Sequence, residues 1–138
     1  PLRLVGSEMC IRDSYGGAPL PKPLQHAAAA VWGDEEHVKE NRKLYTAKYK
    51  LADDILSGLD GYTSPEAGFF LWIAVQDSEK TTVDLWRETG VRVLPGAYLA
   101  QEKNGRNPGQ NFIRVALVAQ QKITEEALIK MHSFLEKQ

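Results

Sequence analysis

One charged residue constrains this chain more than any other. From Phe112 to Val118 the sequence reads Phe-Ile-Arg-Val-Ala-Leu-Val, an apolar run interrupted only by Arg114. Gly109 and Asn111 supply turn chemistry ahead of it, and a continuous apolar run of this kind suits a strand buried on both faces. An arginine stays charged, and a dry, unpaired guanidinium costs on the order of several kcal/mol. Three arrangements relieve that cost. The head can snorkel to water, it can pair with an acidic side chain, or it can wait for an acidic ligand, whose carboxylate its planar fork meets with two parallel hydrogen bonds. Spacing alone leaves all three open.

The elements ahead of this strand can be read in order. Gly16, Gly17, Pro19, Pro21 and Pro23 make residues 15–23 a loop, with Pro23 suited to the first turn of a helix over Leu24–Trp32. Gly33 interrupts that helix. Asp34 is placed to N-cap a longer one, with Glu35 and Glu36 at the positive end of its dipole and Gly58 as its stop. Val38, Tyr45, Tyr49, Ala52 and Leu56 recur at helical spacing, widened by Leu44, Leu51 and Ile55. Tyr45 and Tyr49 read as packing residues with wet tips. Phe69–Val75 is apolar at both parities, which predicts a central strand. Thr81-Thr82-Val83-Asp84 carries a capping-box pattern for a short helix that turns Val83 and Trp86 inward and stops at Gly90.

A short strand over Val91–Leu94 ends at Pro95-Gly96, where glycine would supply a positive φ. Residues 101–110 read as a flexible loop. Its Gly105-Arg106-Asn107-Pro108-Gly109 is a poor phosphate nest, because no helix follows. Thr124 is placed to cap a last helix presenting Leu128, Met131, His132 and Leu135. The predicted class is α+β, with α/β-type layers: a small mixed sheet, helices packed on one face, and a long helix in front. A strand-helix-strand crossover through the Thr81 helix favours a parallel pair, with the last strand antiparallel to a neighbour.

Two segments carry a resemblance. Val93-Leu94-Pro95-Gly96-Ala97-Tyr98-Leu99-Ala100, followed after a loop by the arginine strand, resembles the C-terminal small domain of the class I (fold type I) pyridoxal-phosphate aminotransferases. The likeness runs from Tyr15 to near the end of the chain. It implies that Arg114 binds the α-carboxylate of an amino acid, that the long helix bridges two domains, and that Gly68-Phe69-Phe70 borders a substrate pocket, beside the plainer reading of both phenylalanines as core. The family has an aromatic residue and then glycine soon after the proline-glycine turn; here Tyr98-Leu99 stand instead. That variant is similar to the succinyldiaminopimelate aminotransferase subgroup, as are Pro23-Leu24-Gln25-His26-Ala27-Ala28 and Trp32-Gly33-Asp34-Glu35-Glu36-His37-Val38. Gln25 and His26 read as surface or satisfied polar groups.

The resemblance implies pyridoxal 5'-phosphate as cofactor, an amino acid and a 2-oxo acid as substrates, a homodimer at full length, and amino-acid biosynthesis as the setting. The possible substrates are succinyldiaminopimelate, aspartate or an aromatic amino acid. It also implies that the lysine carrying the cofactor lies in a large domain ahead of this segment. No catalytic, cofactor-binding or metal-binding residue is therefore assigned here, and the chain alone is expected to be inactive. Residues 1–14 resemble the in-frame translation of a transposon adapter used in preparing sequencing libraries, as in metagenomic work. On that reading Cys10 is not native and the natural protein starts further upstream. Residues 15–33 would be a remnant of the large-domain edge, and residues 34–138 the small domain.

Composition excludes other classes. Among 138 residues, 17 Lys and Arg balance 18 Asp and Glu, so no basic surface points to nucleic acid or an anionic membrane. The longest apolar run is too short to span a bilayer. A single cysteine forms no intrachain disulfide, and His26, His37 and His132 stand apart from metal-ligand spacing. These features fit a cytoplasmic domain. An alternative of another class is a non-catalytic α+β module in which Arg114 anchors a small carboxylate, or one that docks a protein partner.

Overall fold

The computed structural model describes residues 20–137. The chain divides into two compact units at Glu40/Asn41. In the first unit, helix α1 (Lys22–Trp32) carries a proline in its first turn and starts where Leu24 N and Gln25 N donate to Pro21 O, at 2.9 and 3.1 Å. It ends where Gly33 N donates to Ala29 O and Ala30 O. None of its residues is buried. Helix α2 (Glu36–Leu56) follows. It begins one residue later than an Asp34 cap suggested, and Asp34 Oδ1 accepts from Glu36 N at 3.0 Å and secures the first turn from outside the helix. Its 21 residues give a rod of about 32 Å.

Gly58 does not stop α2 by a left-handed turn. The positive-φ glycines among the described residues are Gly61, Gly68, Gly90 and Gly105. The exit from α2 is instead made by Leu59 N donating to Leu56 O and Tyr62 N donating to Leu59 O. Gly61 (φ 83°) then backs onto Ala74, where an added Cβ would lie 2.9 Å from the Ala74 Cβ. In the same place Ala74 N donates to Gly61 O at 3.0 Å.

The second unit is built on a three-stranded sheet ordered β1-β3-β2, with β1 Phe70–Ala74, β2 Leu94–Pro95 and β3 Phe112–Ala116. The α+β class holds, but the strand roles differ from the sequence reading. β1 is an edge strand, and the arginine strand β3 is central. Both ladders are antiparallel. The crossover helix α3 (Ser78–Thr89) still makes β1 and β2 run in the same direction, but β3 lies between them, so the expected parallel pair is not hydrogen-bonded. Neither β1 nor β3 is buried on both faces. Leu71, Ile73, Ile113 and Val115 are buried, while Phe70, Trp72, Ala74, Phe112 and Arg114 are half-buried and Ala116 is exposed. Alternation, not the continuous apolar run, is what the fold uses.

The covered face packs on helices. Ala52 and Leu56 of α2, Leu85 of α3, and Leu128, Met131 and Phe134 of α4 (Gln121–Leu135) close the core with Val93 and Leu117. Fully burying each such leucine contributes about 2 kcal/mol. α3 starts at Ser78, because Asp77 is its N-cap and Asp77 Oδ1 accepts from Lys80 N at 2.9 Å. Thr81 is thus a buried mid-helix residue rather than a cap, and the helix phase turns Val83 and Trp86 outward, each more than 40% exposed. Gly90 ends the helix in the left-handed conformation, as expected. α4 likewise begins three residues before Thr124. That threonine is buried in the helix, with its hydroxyl donating to Ala119 O at 3.3 Å. The earlier start brings Phe134 to the core face, with His132 at its margin.

Gly96 has no positive φ, so its role is not the one proline-glycine chemistry suggested. It opens a short 3₁₀ turn (Gly96–Leu99) where backbones meet. A Cβ there would overlap the Gly109 and Phe112 carbonyl oxygens and lie 3.1 Å from the Trp72 ring. Between Gly96 and Gly109 the chain forms an ordered excursion. Lys103 and Arg106 exchange backbone hydrogen bonds around Asn104-Gly105, both at positive φ, which is type I′ hairpin geometry. Asn107 Nδ2 donates to Ala97 O at 2.9 Å, and Asn107 Oδ1 accepts from Gly109 N at 2.9 Å.

Candidate functional site

The sheet face turned away from the helices collects the unusual side chains. Arg114 lies between Trp72 on β1 and Leu94 on β2 in the strand register. Phe70 lies diagonal to Arg114 across the β1-β3 ladder, and Phe112 lies two residues before it on β3. The Arg114 guanidinium carbon sits 5.6 Å from the Phe70 ring centroid, and Trp72 stacks on Phe112 at 5.6 Å with an 18° interplanar angle. Phe69 meets Phe70 edge-on at 5.5 Å and is itself 46% exposed.

No acidic side chain among the described residues pairs with Arg114. Its Nε is enclosed and lacks a hydrogen-bond partner, whereas its terminal nitrogens are not enclosed. Of the three arrangements open to a strand arginine, the structural ion pair is therefore not found among the described residues. The head rests on an aromatic face, which favours a cation where water is partly excluded, and keeps its fork free for two parallel hydrogen bonds to a carboxylate.

Beside this cation, Phe70, Trp72, Ala74 and Phe112 form one wall of a groove of about 470 Å³. Residues 61–67 form the other, with Thr63, Ser64, Pro65 and Ala67 contributing. That connector is held by Ala74 N donating to Gly61 O and by Tyr62, whose hydroxyl donates to Asp53 Oδ1 at 2.6 Å. Burial first, and then this hydrogen bond, push the Tyr62 hydroxyl pKa well above the usual phenol value. Burial also raises Tyr49, whose hydroxyl is enclosed without a partner. Trp72 and Phe112 line this groove, and the sequence reading did not single them out. The signal was their parity: both share the even-numbered face of their strands with Arg114.

The other singled-out side chains are placed elsewhere. Gln25 and His26 are exposed on α1, where Gln25 Nε2 donates to Leu20 O at 2.6 Å. Tyr45 carries the Lys48 ammonium 5.2 Å from its ring centroid, and Lys48 Nζ donates to Leu117 O at 2.8 Å. His132 pairs with Glu136 at 3.4 Å. No group of three or more His, Cys, Asp or Glu among the described residues could hold a metal ion. No described helix is long and apolar enough to cross a membrane. Cys10 and the adapter-like segment lie outside the described residues.

Comparison with known proteins gives this fold a context. No protein-family model matches the chain. The 4-dedimethylamino-4-oxo-anhydrotetracycline transaminase OxyQ of Streptomyces rimosus is 27% identical over 117 residues, which cover 84% of this chain and 31% of that protein. An aminotransferase of Neisseria meningitidis is 32% identical with a TM-score of 0.83, over 94% of this chain and 33% of its own. An aromatic aminotransferase of Pyrococcus horikoshii is 26% identical with a TM-score of 0.69, over 82% and 31%. The chain is thus homologous to aminotransferases, and its relatives by sequence and by structure are transferases of that kind. It spans about a third of the length of each of these three relatives.

Proposed function

We propose that this chain is the C-terminal small-domain part of a pyridoxal-phosphate-dependent aminotransferase, and that Arg114 grips the α-carboxylate of its amino-acid and 2-oxo-acid substrates. The carrying observation is the unpaired guanidinium at the centre of an open sheet face, resting on Phe70. A cation kept without an acidic partner in an apolar setting is costly unless a ligand completes it. Homology to aminotransferases supplies a ligand with the matching anion.

Pyridoxal phosphate supplies the electron sink for amino-group transfer when it is bound. The described residues do not fit that group by themselves. Lys39, Lys48 and Lys80 are engaged by Glu36, Leu117 O and Asp84, and the remaining lysines are exposed. None lines the groove beside Arg114. The cofactor's seat therefore belongs to a further part of the protein, and this chain's contribution is positioning. Two hydrogen bonds from Arg114 would fix the substrate's Cα relative to the reacting centre, which is an orientation effect. We further propose a cytoplasmic homodimer for the whole protein. Its substrate would come from the set the resemblance offers: succinyldiaminopimelate, aspartate or an aromatic amino acid.

The test is made on the longer protein containing this chain. Pyridoxal phosphate should give an absorption band that shifts on adding an amino acid. Arg114→Gln should raise the KM for amino acids about 100-fold while leaving the cofactor band in place. An unchanged KM removes Arg114 from the site. Carboxylate binding that depends on Arg114, with no cofactor band, would instead support a non-catalytic carboxylate-binding module.

A further inference from the structure

Carboxylate binding at Arg114 leaves the neighbours of that residue without a task. Trp72 stands directly opposite Arg114 in the β1-β3 register and stacks on Phe112, the next residue of the same face. Both rings are half-buried and line the same groove, and Phe70 links that groove to the guanidinium. In the core, aromatic rings of this size would be enclosed by neighbouring elements. Here they are left partly open in a row that starts at a free cation.

From this arrangement we infer that the Trp72–Phe112 pair and its groove are a side-chain subsite, selecting amino and 2-oxo acids with a large apolar or aromatic side chain. The inference rests on Arg114 as the carboxylate anchor. With the carboxylate held there, a side chain a few bonds long reaches the row of rings. A phenyl or indole group then gains apolar burial and offset or edge-on ring contacts. A short side chain leaves the groove wet. A charged one, such as a succinylated or β-carboxylate chain, loses hydration among Trp72, Phe112 and Pro65 with no counter-charge on that wall. Among the substrates considered above, the groove therefore favours the aromatic class.

The experiment uses two probes that lack the amino group, 3-phenylpropionate and propionate, titrated calorimetrically into the longer protein. Wild type should bind 3-phenylpropionate at least about tenfold more tightly than propionate. Trp72→Leu should reduce that preference to about threefold or less. Phe112→Leu should act in the same direction and provides the readout should Trp72→Leu fail to fold. Arg114→Gln should weaken both probes together. A preference untouched by both ring variants, while Arg114→Gln still weakens both probes, overturns the subsite and leaves the carboxylate anchor standing. Indifference of both probes to Arg114→Gln overturns the anchor and the subsite with it.

Discussion

Arg114 and Phe70 meet diagonally across the β1-β3 ladder, with the guanidinium carbon 5.6 Å from the ring centroid and no acidic partner for the cation among the described residues. An enclosed Nε without a hydrogen-bond partner carries a desolvation cost of about 1–3 kcal/mol. Arg114→Met keeps the aliphatic contact with Phe70 and removes the charge. It is expected to raise the chain's stability by about 1 kcal/mol in urea unfolding while abolishing carboxylate binding. A loss of stability of similar size would show that the arginine is structural.

The chain of 138 residues, purified alone with pyridoxal phosphate and an amino acid–2-oxo acid pair, is expected to show no transamination, because no lysine lines the groove beside Arg114. Turnover by this chain above the rate of the free cofactor would place a cofactor seat within it.

Tyr62 ties the connector at residues 61–67 to α2 through Asp53. Tyr62→Phe should cost about 1 kcal/mol at neutral pH. The pH dependence follows from the raised pKa. The folded protein holds the phenolic proton more tightly than the unfolded chain, whose phenol titrates near 10.0. The contribution is therefore complete below about pH 10 and is lost as the pH climbs towards the higher folded-state value. Wild type should lose stability above pH 10 more steeply than Tyr62→Phe. Parallel curves would mean that Tyr62 is not held as described.

Two threonine and aspartate positions in α3 separate cap from bystander. Asp77→Ala removes the acceptor for Lys80 N and should cost about 1 kcal/mol. Thr82→Val replaces an enclosed hydroxyl that has no partner and should be neutral or slightly stabilising. Thermal melts of the two variants check both; a cost at Thr82→Val equal to that at Asp77→Ala would mean that the Thr82 hydroxyl is not without a partner.

Gly96→Ala should be the more damaging of two loop substitutions, at about 3 kcal/mol, because the new methyl meets backbone carbonyls that cannot withdraw. Gly105→Ala meets open space and faces only its positive φ, at about 1 kcal/mol. Equal losses would mean that the Gly96 contact relaxes freely.

These positions also show what the residues alone could convey. Helices α1 to α4 were all visible, α1 from Pro23, α2 and α4 from apolar spacing and α3 from a capping pattern, and Gly90 as a stop, because these are local properties. The caps of α3 and α4 lie four residues ahead of the threonines read as caps. Asp77 competes with Thr81 as a cap, and only the packing of Thr81 and Thr124 into the core decides the phase. Strand order was hidden for a related reason. Phe69–Val75 and Phe112–Val118 are both apolar at every position but Arg114, so neither shows by itself which strand is central or which parity is open. Arg114 stood out because a lone cation in such a run is rare chemistry. Trp72 and Phe112 did not, because aromatic residues in strands usually pack inside.

The backbone contact between Gly96 and Gly109 pinches the intervening residues into a closed lobe. Because that neck carries the steric constraint, the outer end at Asn104-Gly105 is released from it, and an added Cβ at Gly105 meets no atom within 4 Å. The lobe is therefore a graft point. A reporter peptide or fluorophore inserted at its tip would leave the β2-β3 register, and the face that presents Arg114, as the neck sets them.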